Sequence, residues 1–154
     1  MNKRIVAGIA GALLVGLGTF DSSFAQSSSS EDYLYADVTV VAIAPDGTWG
    51  TATDSVAGIA RAGAINDCKR EHEARIGCGY RSTVVRQGWS LLFRCGTENV
   101  LVAEKELADA ERAALLQERE LRTRYVPTMP ACVRTLTVDP NGTIRAITAK
   151  APAG

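Results

Sequence analysis

The side chains with chemical reach in this 154-residue chain are its four cysteines, Cys68, Cys78, Cys95 and Cys132, and its single histidine, His72. Cys68 and His72 are four apart, so on a helix they would share a face and could form a nucleophile and base. That chemistry needs a free thiolate, and an oxidised thiol is no nucleophile. A zinc site needs close ligand pairs such as C-x-x-C, whereas here nine, sixteen and thirty-six residues separate successive cysteines. His72 itself lies in Lys69-Arg70-Glu71-His72-Glu73, a charged run that reads as the solvated end of a helix. The carboxylates best placed for hydrolysis are Asp46, Asp54, Glu71 and Glu73, and each also has a role as turn residue, cap or helix-end charge. No phosphate loop or nucleophile motif is present, so no catalytic, cofactor-binding or metal-ligating residues and no cofactor are expected.

The amino terminus explains why the cysteines should be paired. Lys3 and Arg4 precede an apolar run over residues 5–20, and Ser23-Phe24-Ala25 offers small residues where a signal peptidase inspects them. Residues 1–25 therefore read as a signal peptide cleaved after Ala25. The apolar run falls short of the ~20 residues of a spanning helix, so no transmembrane anchor is expected after cleavage. Residues 26–34 read as a flexible serine-rich tether and 35–150 as a single disulfide-stabilised domain. Cleavage leaves fifteen basic and sixteen acidic side chains, with no basic field to attract a nucleic acid. The expected location is the periplasm or the medium, where an even number of cysteines usually means disulfides.

The elements that must carry these residues recur in order. Residues 35–44 are aromatic or β-branched and strand-like, Pro45-Asp46-Gly47 supplies a turn, and 48–53 return as a second strand. Asp54 or Ser55 can cap a helix running to about Glu73, whose alanines and glycines would let it sit close to a sheet, and 78–86 reads as a third strand. The order then repeats: strand 89–94, turn 96–99, strand 100–103, helix 105–125, and strand 132–138 alternating through Val133, Leu136 and Val138. A shift of 51 lays Val40-Val41 on Leu91-Leu92 and Ala57 on Ala108. A last hairpin turns at Asp139-Pro140-Asn141-Gly142 and returns over 143–148. The class implied is α+β: an antiparallel sheet with two helices on one face, from a tandem strand-strand-helix-strand repeat.

This order also constrains the disulfides. Cys68 ends the first helix and Cys78 opens the next strand, while Cys95 and Cys132 both lie in strands of the second half. The favoured pairing is Cys68 with Cys78 and Cys95 with Cys132. Pairing of Cys78 with Cys95 competes with it if Gln87-Gly88 makes a hairpin of the two strands around it.

The segments VVAIAPDGTWGTATD, ARAGAINDC, GCGYRSTVV and LLFRCGTENVLVAE resemble the family known as domain of unknown function 4189, small secreted bacterial proteins. Trp49-Gly50, the alanine-rich helix into Cys68, Cys78 and Cys95 carry the resemblance, which spans about residues 35–105. The KREHEARIG insert, the second helix and Cys132 depart from the pattern. The resemblance implies fold and compartment but no activity.

The function expected is that of a non-enzymatic binding domain for an unknown protein or cell-wall ligand. A cell-wall-related hydrolase, an inhibitor of one, and a structural module of an envelope assembly are the alternatives. The surface residues singled out for binding are Trp49 and Trp89 with the basic series Arg81, Arg86 and Arg94. Trp49 is expected to be mostly buried between the first hairpin and a helix, and Trp89 partly exposed.

Overall fold

All six residues of strand β1 (Val38–Ile43) are buried, so both of its faces need a cover. Val38, Val40 and Ala42 pack against Ala60 and Ala64 of helix α1 (Ala57–Glu71). Val41 and Ile43 point the other way and pack against Leu92, Leu101, Leu136 and Val138 of a second sheet. The computed structural model, which describes residues 36–71 and 76–146, thus has two sheets back to back with one helix on each outer face. The expected signal peptide, the tether, His72, Glu73 and the far end of the last strand lie outside the described residues.

The first sheet has the order β2-β1-β3, all antiparallel, with β2 at Trp49–Asp54 and β3 at Arg81–Arg86. The second has the order β5-β4-β6-β7, also antiparallel, built from β4 (Trp89–Cys95), β5 (Glu98–Glu104), β6 (Val133–Val138) and β7 (Ile144–Ala146). Helix α2 (Leu107–Arg124) covers β4 and β5 through Ala114, which packs with Cys95, Val100 and Met129.

The α+β class and the antiparallel pairing agree with the sequence reading, but the strands form two sheets and the helices do not share a face. The reason is the amount of apolar surface: with both helices on one side of a single sheet, Val41, Ile43, Leu92 and Leu101 would face water. The repeat is visible in the topology, since in each half the first strand lies between the second and the third. An offset of 51 carries β1 onto β4, while 50 carries the buried Ala60 and Ala64 onto Ala110 and Ala114.

The disulfides are Cys68–Cys78 and Cys95–Cys132, the favoured pairing. The competing bond fails because β3 and β4 lie in different sheets, so the Gln87-Gly88 connection is not a hairpin turn. Cys78 and Cys132 fall just before β3 and β6 rather than inside them. Among the described residues no helix is long and apolar enough to cross a membrane.

Helix α1 sits directly on β2. A methyl group at Gly50 would lie 2.1 Å from the Cys68 backbone nitrogen and 2.4 Å from the Ala64 carbonyl oxygen, so only glycine fits. Asp67 accepts the Thr51 N–H at 2.9 Å, which fixes the helix on this edge strand and occupies one of its donors.

The β6–β7 turn is held by Asp139, whose Oδ1 accepts the N–H groups of Asn141 and Thr143, each at 2.9 Å. The Thr143 amide, followed by the Asn141 amide, the Thr143 side chain and the Arg145 charge, holds this carboxyl below its ordinary range against some desolvation. A carboxyl lowered by folding stabilises the native state above its unfolded pKa and stops doing so as the pH falls through its folded pKa. Amide protection over Ile144–Ala146 is therefore expected to fall on acidification before the rest of the sheet opens. Hydrogen exchange followed by NMR against pH measures this, and Asp139→Asn should remove the acid dependence.

Candidate functional site

Three of the five residues singled out on the sequence are taken up by the backbone. Arg81 Nη1 donates to the Asn99 carbonyl at 2.9 Å, and Arg94 Nη1 donates to the Pro45 carbonyl at 2.9 Å and to Asn99 Oδ1 at 2.8 Å. Arg86, at the other end of β3, donates to the Ala36 carbonyl. Asn99, 2% exposed, completes the cluster by donating to the Pro45 carbonyl at 3.0 Å and to the Tyr80 hydroxyl at 3.1 Å. The network joins the β1–β2 turn to β5 and so locks one sheet to the other. Arg81 and Arg94 are brought together by it; Arg86 stands apart.

Trp49 is half-buried and packs on the core between the sheets, not between the hairpin and a helix as expected. Register explains it: Trp49 is opposite Ile43, which faces the second sheet, whereas Gly50 faces the helix. Trp89 is half-buried as well, opposite Glu104 at the end of the β4–β5 hairpin. Asp46 accepts from the Thr48 N–H and hydroxyl within its turn, and Asp54 accepts the Val56 N–H ahead of α1. Among the described residues no group of three or more His, Cys, Asp or Glu side chains is placed to hold a metal ion.

The concave site lies elsewhere, between α2 and the outer face of β4 and β6. It is a cleft of about 260 Å³. Phe93, Val100 and Cys132 line it from the sheet side with Arg134, and Glu111, Ala114, Leu115 and Glu118 line it from the helix. Arg134 lies over the Phe93 ring at 5.3 Å from the centroid and donates through Nη2 to Glu111 Oε1 at 2.7 Å. Glu118 is held by Arg122 at 2.9 Å. Arg122 also donates to the Met129 and Pro130 carbonyls, which ties the segment leading to Cys132 back onto the helix.

A β-bulge aims Arg134 into this cleft. Leu92 is opposite Leu136, but Phe93 is opposite Arg134, so Thr135 is an extra residue with no partner in the ladder. Unbroken alternation from Leu136 and Val138 would have put the Arg134 charge into the core between the sheets. The extra residue turns it to the outer face beside Phe93. The signal was present in the sequence: Val133 and Leu136 are an odd number of residues apart, so the alternation read through them could not hold in a regular strand. Phe93, Glu111 and Arg134 escaped the sequence reading because each alone is an ordinary strand or helix residue.

The first half differs at the matching helix position. There Ile65, which the offset of 50 lays on Leu115, is partly buried against the core under α1. Its Cδ1 comes close enough to Gly79 that an added methyl there would sit 3.1 Å away. The Cys68–Cys78 bond also ties α1 covalently to the chain entering β3, whereas Cys132 bonds to Cys95 of β4, and α2 holds the entry of β6 through the Arg122 hydrogen bonds. Leu115 is correspondingly 64% exposed.

The fold and site define a two-disulfide α+β domain with a polar-rimmed apolar cleft set against its second helix. Compared with family models, curated proteins and solved structures, the chain finds no match in any of the three.

Proposed function

We propose that this chain is a periplasmic or secreted, non-enzymatic binding domain, released from its signal peptide after Ala25, with its ligand seat in the cleft between α2 and β6. The observation that carries the reading is the asymmetry of the repeat: Ile65 of the first half packs on its core, whereas its counterpart Leu115 is exposed beside a cleft. A bulge re-aims a charged residue into that space, and the aromatic floor with a few polar groups matches the usual composition of small-ligand sites. Two disulfides suit the oxidising compartment, and the resemblance to small secreted bacterial proteins points the same way. The partner expected from the sequence, a protein or cell-wall component, would reach the domain here.

The test is a broad fragment screen by NMR on the disulfide-bonded protein. Hits should perturb the amides of Phe93, Ala114, Leu115 and Arg134, and Leu115→Trp, which puts an indole at the cleft from an exposed position, should abolish them. Hits scattered over other surfaces, or unaffected by the filling substitution, would remove the cleft as the ligand seat.

A further inference from the structure

We infer that the cleft selects an organic carboxylate on a small apolar body, the carboxylate replacing Glu111 on Arg134 while the body rests on Phe93. The inference rests on the cleft being the ligand seat and adds the chemistry of what it takes.

Size comes first. About 260 Å³ lies below the ~300–1,000 Å³ of sites for drug-sized molecules, so the body is about as large as one side chain. The apolar floor of Phe93, Val100 and Ala114 suits an aryl or branched alkyl group.

Charge comes second. The acids Glu111 and Glu118 are each matched by an arginine, so the sign of the ligand depends on which partner can leave. Arg134 cannot leave easily: its backbone is set by the bulge, its guanidinium lies over Phe93, and its side chain is 29% exposed. Glu111 is on the outer rim of a helix, its side chain is 45% exposed, and one oxygen makes its single bond to Arg134. Exposed ion pairs of this kind are cheap to break. Withdrawal of Glu111 into water presents a fixed guanidinium whose planar fork can bind a carboxylate through two N–H groups. A cationic ligand would have to enter against that same guanidinium, which stays in place. Glu111 therefore acts as a stand-in for the ligand carboxylate.

Titrations followed by NMR, with phenylacetate and its neutral isostere phenylacetamide, test the inference. Phenylacetate should saturate shifts at Phe93, Ala114 and Arg134 and bind about tenfold more tightly than the amide. Glu111→Gln removes the internal competitor and should tighten phenylacetate binding about threefold, whereas Arg134→Met should erase the preference for acid over amide. The wild-type acid and amide comparison stands even if a variant fails to fold. A second arm identifies the source: Gly-Gly-Phe with a free carboxyl end binding better than phenylacetate marks a peptide terminus, and exclusion of the tripeptide marks a free acid. Equal binding of phenylacetate and phenylacetamide would leave the cleft a ligand seat but overturn the carboxylate. Absence of phenylacetate binding to the folded protein overturns the inference, while the fragment screen decides separately whether the cleft binds anything.

Discussion

Gly50→Ala is expected to destabilise the domain by about 3 kcal/mol or more, and Gly50→Val to prevent stable folding. The added methyl would stand 2.1 Å from the Cys68 nitrogen and 2.8 Å from the Asp67 carbonyl carbon, all backbone, so no side chain can swing aside. Relief requires the whole of α1 to lift from β2. That movement is opposed at the same turn of helix by the Thr51–Asp67 hydrogen bond and by the Cys68–Cys78 bond, and it would open the packing of Ala60 and Ala64 on Val38, Val40 and Ala42. Gly58 provides the contrast. It lies on the exposed side of the same helix, and a methyl there meets nothing within 4 Å. Gly58→Ala should therefore stabilise by about 0.5–1 kcal/mol through helix propensity. Urea unfolding of both variants measures the two effects, and an unchanged midpoint for Gly50→Ala would mean that α1 does not rest on β2 in this way.

Loss of the Cys95–Cys132 bond is the second large effect. The two residues are 37 apart in sequence, against 10 for Cys68 and Cys78, so chain entropy assigns the longer closure about 4 kcal/mol and the shorter about 3. A domain of this size has only ~5–15 kcal/mol in total. Cys132→Ser should lower the melting temperature sharply, free one thiol at the buried Cys95 that reacts on unfolding, and leave Cys68 and Cys78 joined. Because Cys132 lines the cleft beside Phe93 and Arg134, the same change should weaken phenylacetate binding. Cys78→Ser should be milder in stability and leave the cleft intact, since its bond lies under α1 in the other half. Non-reducing peptide mapping and thiol counting separate the cases; a Cys78–Cys95 peptide would contradict the strand order of both sheets.

These effects mark the boundary between local and distant information in the chain. The strands, both helices and the turns at Pro45-Asp46-Gly47 and Asp139-Pro140-Asn141-Gly142 were legible because hydrophobic period and turn chemistry act over a few residues. Helix α2, read over 105–125, runs Leu107–Arg124. The disulfide pairing was favoured for the same reason, as each bond joins elements of one half, but its competitor Cys78–Cys95 was excluded only by the sheet order. The doubling of strand-strand-helix-strand could be read as well, since the two copies follow the same order.

What period could not show is which face of a strand meets which layer. The apolar run of β1, broken only by Thr39, is equally a strand between two helices or between a helix and a sheet, and the choice was made by the apolar faces of β4, β5 and β6, some fifty to a hundred residues away. The arginines of β3 and β4 look like a basic edge in sequence; in the fold Arg81 and Arg94 reach carbonyls of Asn99 and Pro45, partners that no local pattern names. The cleft is wholly tertiary. Phe93, Glu111 and Arg134 lie on three different elements, and only the bulge at Thr135 turns the arginine toward the other two. The sequence by itself determined the elements and their repeated order and favoured the covalent links, because those follow from short-range chemistry; the separation of β3 and β4 into two sheets then decided the links. The tertiary structure alone decided the two-sheet stacking and the cleft, because both depend on one residue's worth of register between segments that are far apart in the chain.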